Sequence, residues 1–134
     1  MEMELVPRGT RVEANGEGQA FDVSGSQTRT FLCRLVIREA IEQESLDVSI
    51  WGSADGADWG AKPLLRLPQR FYSGVTQAVL DLTLRPEVRF LRARWELNRW
   101  GRVAPTPMFV FGLQLTEVPA FPKPAALEKV SWGA

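Results

Sequence analysis

Leu46-Asp47-Val48-Ser49-Ile50-Trp51-Gly52-Ser53-Ala54-Asp55-Gly56-Ala57-Asp58-Trp59 is the stretch that decides the fold. Its first half alternates, with Leu46, Val48 and Ile50 on one side and Asp47, Ser49 and Trp51 on the other; a period of two belongs to a half-buried β-strand. Its second half ends that strand. Asp55-Gly56 is a reversal in which the Asp side chain caps its own backbone and the Gly accepts a positive φ. Trp59 is placed to fold its indole back over the turn. Ser53, Asp55, Gly56 and Trp59, an S-x-D-G-x-x-W pattern, are therefore read first as a structural turn.

The same alternation extends in both directions. Phe31, Cys33, Leu35 and Ile37 share a face opposite Arg34 and Arg38. Ala78, Leu80, Leu82 and Leu84 form another apolar row, as do Leu91, Ala93, Trp95 and Leu97, and then Phe109, Phe111, Leu113 and Leu115. Turn-forming clusters at 15–18, 24–26, 54–60, 73–74, 86–87 and 101–107 separate these rows. With weaker strands at 10–14, 19–23 and 64–72, the count reaches about eight, enough for two facing sheets. The pattern predicts an all-β fold, an antiparallel β-sandwich, over residues 1–118. The segment from residue 38 to 45 reads as a loop or single turn. Residues 119–134, with Pro119, Pro122 and Pro124 close together, read as an extended arm, because proline lacks the ladder donor; a short helical turn is expected near 125–129.

Composition narrows the function classes. A chain of 134 residues with 45% hydrophobic and 24% charged residues is a globular domain that buries roughly two-thirds of its unfolded surface. Sixteen basic residues balance 16 acidic ones, leaving no global attraction to nucleic acid or to an anionic membrane. One cysteine cannot form an internal disulfide, and no apolar run approaches the roughly 18 residues of a membrane span. The start, MEMELVPRGT, has no signal-peptide pattern, so a soluble protein made in the cytoplasm is expected. Residues 5–9, Leu-Val-Pro-Arg-Gly, match the pattern that thrombin cleaves, while Leu5-Val6 reads as a short opening strand.

Catalytic chemistry finds little material. The chain has no histidine, which removes the usual general base and the commonest zinc ligand. Cys33 sits in an apolar row and reads as a core residue rather than a nucleophile. Asp55 with Asp58, and Glu42 with Glu44, are carboxylate pairs of the kind glycoside hydrolysis uses, but the first belongs to the turn and the second to a polar connection. Two loop aspartates fall short of the six to eight oxygens that calcium takes. No catalytic residue, metal or cofactor is therefore expected.

A strand followed by S-x-D-G-x-x-W, and then by Val88-Arg89-Phe90-Leu91-Arg92-Ala93-Arg94-Trp95, resembles discoidin-like (galactose-binding-like) jelly-roll domains and small β-sandwich proteins from phage and prophage structural-gene regions. The resemblance covers about residues 28–116. Secreted discoidin domains usually carry a disulfide joining their ends, which one cysteine cannot supply, so the phage-type relatives fit better. What the resemblance implies is a virion or virion-like structural subunit, such as a capsid decoration, tail-associated or lattice protein, that contacts other protein subunits.

Outward apolar strand faces and the proline-rich arm at 119–134 are expected to carry those contacts, and one loop is a further candidate. The alternation sends Leu32, Val36, Trp51, Phe90, Met108 and Val110 outward, as a covered surface would require. The loop holding Arg99, Trp100 and Arg102 combines the residue types enriched at interface hot spots, and the same set suits a sugar ring, which makes a carbohydrate-binding module the alternative. Arg89, Arg92, Arg94, Arg99 and Arg102 also form a basic stripe, but Glu87 and Glu96 interleave it, which speaks against nucleic acid. A homo-oligomer or larger lattice is the expected state.

Overall fold

A computed structural model describes residues 1–40, 44–99 and 108–119. They form an antiparallel β-sandwich of nine strands, with no helix among them: β1 Glu2–Val12, β2 Gly16–Glu17, β3 Phe21–Asp22, β4 Thr30–Ala40, β5 Glu44–Ser53, β6 Leu65–Arg66, β7 Gly74–Asp81, β8 Phe90–Arg99 and β9 Phe109–Glu117. One sheet has the order β1-β9-β4-β7. The other has the order β2-β8-β5-β6, with β3 also pairing β8. The successive pairs β1/β2, β4/β5, β6/β7 and β8/β9 are each divided between the two sheets, which is the jelly-roll winding.

The inward rows meet as the alternation predicts. Phe31, Cys33, Leu35 and Ile37 of β4, together with Phe109, Phe111, Leu113 and Leu115 of β9, face Leu46, Val48 and Ile50 of β5 and Leu91 and Ala93 of β8; all are buried. Trp95 packs edge-on against Phe111 at 5.7 Å, and its Nε1–H donates to the Ala14 carbonyl at 3.2 Å. A Cβ at Gly16 would lie 3.0 Å from the Trp95 ring and one at Gly18 only 2.6 Å from the Leu5 carbonyl oxygen. This close approach explains why residues expected as a turn instead hold the short strand β2.

The remaining differences lie at the edges. β1 is eleven residues long rather than a short opening strand. Its register against β9 slips around Pro7, Arg8 and Gly9, where Gly9 has φ +78°; a bulge is where an edge strand accommodates proline. The segment expected as a loop from residue 38 is strand as far as Ala40, and strand resumes at Glu44. The weak strand at 64–72 contracts to β6 plus an isolated bridge between Leu46 and Arg70. β7 begins at Gly74 and stops at Asp81, because Asp81 Oδ1 accepts both the N–H and the hydroxyl of Thr83 and so turns the chain. Leu82 still reaches the core, but Leu84, expected in the same inward row, is 89% exposed. Residues 120–134, including the helical turn expected near 125–129, lie outside the described residues.

Candidate functional site

The turn after β5 is closed by its own side chains. Ser53 Oγ accepts the N–H of Gly56 at 2.8 Å and that of Asp55 at 3.2 Å, and donates to Asp55 Oδ1 at 3.0 Å. The same Oδ1 accepts the N–H of Ala57 at 2.8 Å and of Asp58 at 2.9 Å. The Asp58 and Ala57 amides, then the Ser53 hydroxyl, hold the Asp55 carboxyl below its ordinary range. Gly56 has φ +81°, as the reversal requires, and a Cβ there would touch the Phe90 ring at 3.6 Å. Phe90 thus packs against the turn and is half-buried.

Beside the turn, the outer face of the β5–β8 sheet carries a ladder of stacked cations. The Arg92 guanidinium lies 4.4 Å over Trp59 and that of Arg94 lies 4.2 Å over Trp51. Glu17, from β2, holds both arginines: Oε1 pairs with Arg92 Nη1 and Oε2 with Arg94 Nε, each at 3.1 Å. The Trp51 Nε1–H donates to Ser49 Oγ at 2.9 Å. Trp51 does point outward, but Arg94 covers it and it is buried, so it is not the open apolar contact expected of it. The acid partners of the basic stripe also differ from expectation, since Glu87 pairs with Arg85 at 2.7 Å while Glu17 serves Arg92 and Arg94. Glu17 lies 77 positions from Arg94, and no local pattern announces the pair.

At the far end of β8, Arg99 sits opposite Glu44 in the ladder. The Arg99 side chain, Trp100 and Arg102 lie outside the described residues, as does Glu42. Glu44 is fully buried, unlike a residue of a polar connection, and its Oε1 accepts the Met108 N–H at 2.9 Å.

The outer face of the other sheet is different in character. Leu32 stands opposite Val79, and Val36 opposite Val75, with Arg34 and Gln77 between the two pairs. Leu32, Val75 and Val79 are 38%, 52% and 57% exposed, and the exposed aromatics Phe71 and Tyr72 lead into β7. Val36, Met108 and Val110 are half-buried. Sequence reading found the β4 members of this patch; it assigned β7 a later start and did not weigh Val75, Val79 or the two aromatics.

A buried thiol and a half-buried carboxylate complete the sandwich. Cys33 is fully buried, and burial pushes its thiol up to about 12. Glu117, at the end of β9, accepts on Oε2 the Ser26 hydroxyl at 2.7 Å, the N–H groups of Gln27 and Thr28 at 2.8 Å each, and the Thr28 hydroxyl at 3.1 Å. Its Oε1 lies 3.3 Å from the Met1 amine.

Fold and surfaces together define a small two-sheet antiparallel β protein of jelly-roll order, with one charged outer face, on which Glu17 pairs with Arg92 and Arg94, and one partly apolar outer face. No family model and no curated protein matches its sequence. Among the described residues, no helix is long and apolar enough to cross a membrane.

Proposed function

We propose that this chain is a non-enzymatic structural subunit that assembles with other protein subunits, in the manner of the virion and virion-like components that its turn and V-R-F-L-R-A-R-W strand resemble. The observation that carries the assembly reading is the grouping of Leu32, Val75, Val79, Phe71 and Tyr72, five exposed apolar side chains around one margin of one sheet. Singly exposed apolar residues are ordinary, but several gathered along one edge strand and the segment leading into it mark a contact surface. The virion setting rests on the resemblance alone. The sugar-binding alternative rests on the loop of Arg99, Trp100 and Arg102, which lies outside the described residues; of the other candidates, Trp51 has Arg94 stacked over its ring.

Sedimentation velocity over a wide concentration range, alone and mixed with the products of whatever genes flank its own, tests the reading. Association in either setting supports it; a monomer that joins none of them overturns it.

A further inference from the structure

The two sheets have four margins, and three are guarded against pairing with another chain. β1 carries the bulge at Pro7–Gly9 and the charges of Glu2 and Glu4; β2 and β3 on one side of β8, and β6 beside β5, are two residues long. Short strands, prolines, bulges and charges are the devices by which sheets protect their edges. β7 has none of them before its last residue, Asp81. It is eight residues long, uncharged from Gly74 to Leu80, free of proline, and paired among the described residues with β4 alone.

We infer that β7 is the contact strand of a homodimer, pairing antiparallel with β7 of a second copy across a two-fold axis and joining the two four-stranded sheets into one of eight strands. This deepens the assembly reading and rests on it, naming the surface and the partner.

The backbone fixes the register. The Leu82 N–H donates to the Arg29 carbonyl on the β4 side, and hydrogen-bonding direction alternates along a strand, so Val75, Gln77 and Val79 turn their N–H and C=O groups to the open margin. Setting Gln77 opposite Gln77 of the second copy places Val75 opposite Val79 twice. These three pairs are all of the kind that exchanges two backbone hydrogen bonds. On the outer face, the same register lines up Leu32, Val79, the second copy's Val75 and its Val36 in one continuous apolar row, repeated by the two-fold axis. Between the rows runs Arg34, Gln77 and their two counterparts. The two arginines then stand three strand spacings apart, about 14 Å, beyond the screening length of roughly 8 Å at physiological salt. On the inner face Thr76 meets Ala78, and Gly74 meets Leu80. No like charges oppose one another, so the strand is complementary to itself.

Sedimentation equilibrium of the full chain and of Gln77→Lys tests the pairing. The substitution is at an exposed position and sets two like charges directly opposite each other. The expected result is a wild-type dimer whose Kd rises at least roughly tenfold in Gln77→Lys, while Ala61→Lys, exposed in the loop after β5 of the other sheet, leaves it unchanged. Gln77→Cys is expected to form a covalent dimer on mild oxidation, since the paired Cα separation of about 5.5 Å suits a disulfide and Cys33 is buried. A dimer that Gln77→Lys does not weaken and Gln77→Cys does not trap overturns the β7 pairing and leaves assembly through another surface standing. A wild-type monomer also overturns it, and if deleting residues 119–134 then produces the dimer, the edge belongs to the chain's own arm. Binding to the product of a flanking gene without self-association likewise sinks the homodimer and spares the assembly reading.

Discussion

Replacing Glu117 by Gln tests whether one carboxylate holds the end of the sandwich together. Its Oε2 accepts four hydrogen bonds from Ser26, Gln27 and Thr28, the segment that carries the chain from β3 in one sheet to β4 in the other. The side chain is only 12% exposed, so water competes weakly for it. A hydrogen bond to a charged acceptor contributes about 1.5–3 kcal/mol net. The four do not add, because the Gln27 amide is at the surface and is rehydrated once released. Glu117→Gln keeps the shape, removes the charge and turns an N–H₂ toward donors; it is expected to cost about 2–3 kcal/mol, or roughly 6–12 °C in Tm for a domain of this size.

The pH dependence is the sharper test. The Thr28 amide and the Ser26 hydroxyl, chief among these donors, pull the Glu117 carboxyl down to about 2 from an ordinary value of 4.5. A lowered folded-state pKa means that the stabilisation is complete above about 4.5 and is lost as pH falls through about 2. The gap between wild type and Glu117→Gln in urea unfolding should therefore be full at neutral pH and close across that window. Asp22, Asp55 and Asp81, also held low by neighbouring hydroxyl and amide donors, weaken both proteins alike in acid and drop out of the difference. A gap that stays constant down to pH 2, or one below about 0.5 kcal/mol at neutrality, well under a single charged hydrogen bond, would mean that the Glu117 carboxylate does not hold this end of the sandwich.

Cys33 should resist a thiol reagent in the native protein at neutral pH and react at the rate of unfolding or in step with the unfolded fraction, because a buried thiol held up to about 12 forms almost no thiolate; rapid native labelling would contradict its place in the core. Thrombin should cut slowly after Arg8 although the sequence matches its pattern, since Leu5 and Val6 are 1% and 2% exposed and must leave the core to enter a protease cleft. Cleavage should then rise with the unfolded fraction in urea, and fast cutting of a protein that keeps its native spectrum would show that β1 opens by itself.

What the sequence made legible was whatever depends on neighbours along the chain. The apolar rows of β4, β5, β8 and β9 are two-residue alternations in central strands, where one face must be buried, so period alone assigns them. The turn at Ser53 and Asp55 was legible for the same reason, since every hydrogen bond that closes it spans three residues or fewer. Edge elements were not. β2 exists because Gly16 and Gly18 let the chain pass close to Trp95 and Leu5, and β7 starts at Gly74 because β4, its one partner among the described residues, pairs with it from Ile37 onward. Nothing in the local pattern of either segment records that neighbour.

The surface follows the same division, and this bears on how its function is read. A row of arginines in β8 looks like a basic stripe when only β8 is in view; once Glu17 and two tryptophans arrive from elsewhere in the chain, Arg92 and Arg94 are spent on internal partners and the face becomes a closed unit. The valines of β7 move in the opposite direction. Along the chain they are ordinary members of an alternating strand, and only the topology makes them exposed, because it leaves β7 last in its sheet. Arginines already held by Glu17 and stacked on indoles have less to gain from a partner, whereas an apolar strand whose outer backbone donors and acceptors are open among the described residues gains from any complementary strand that covers it. The physical case for assembly therefore lies with β7 and not with the arginines, even though the arginines are the more conspicuous feature of the sequence.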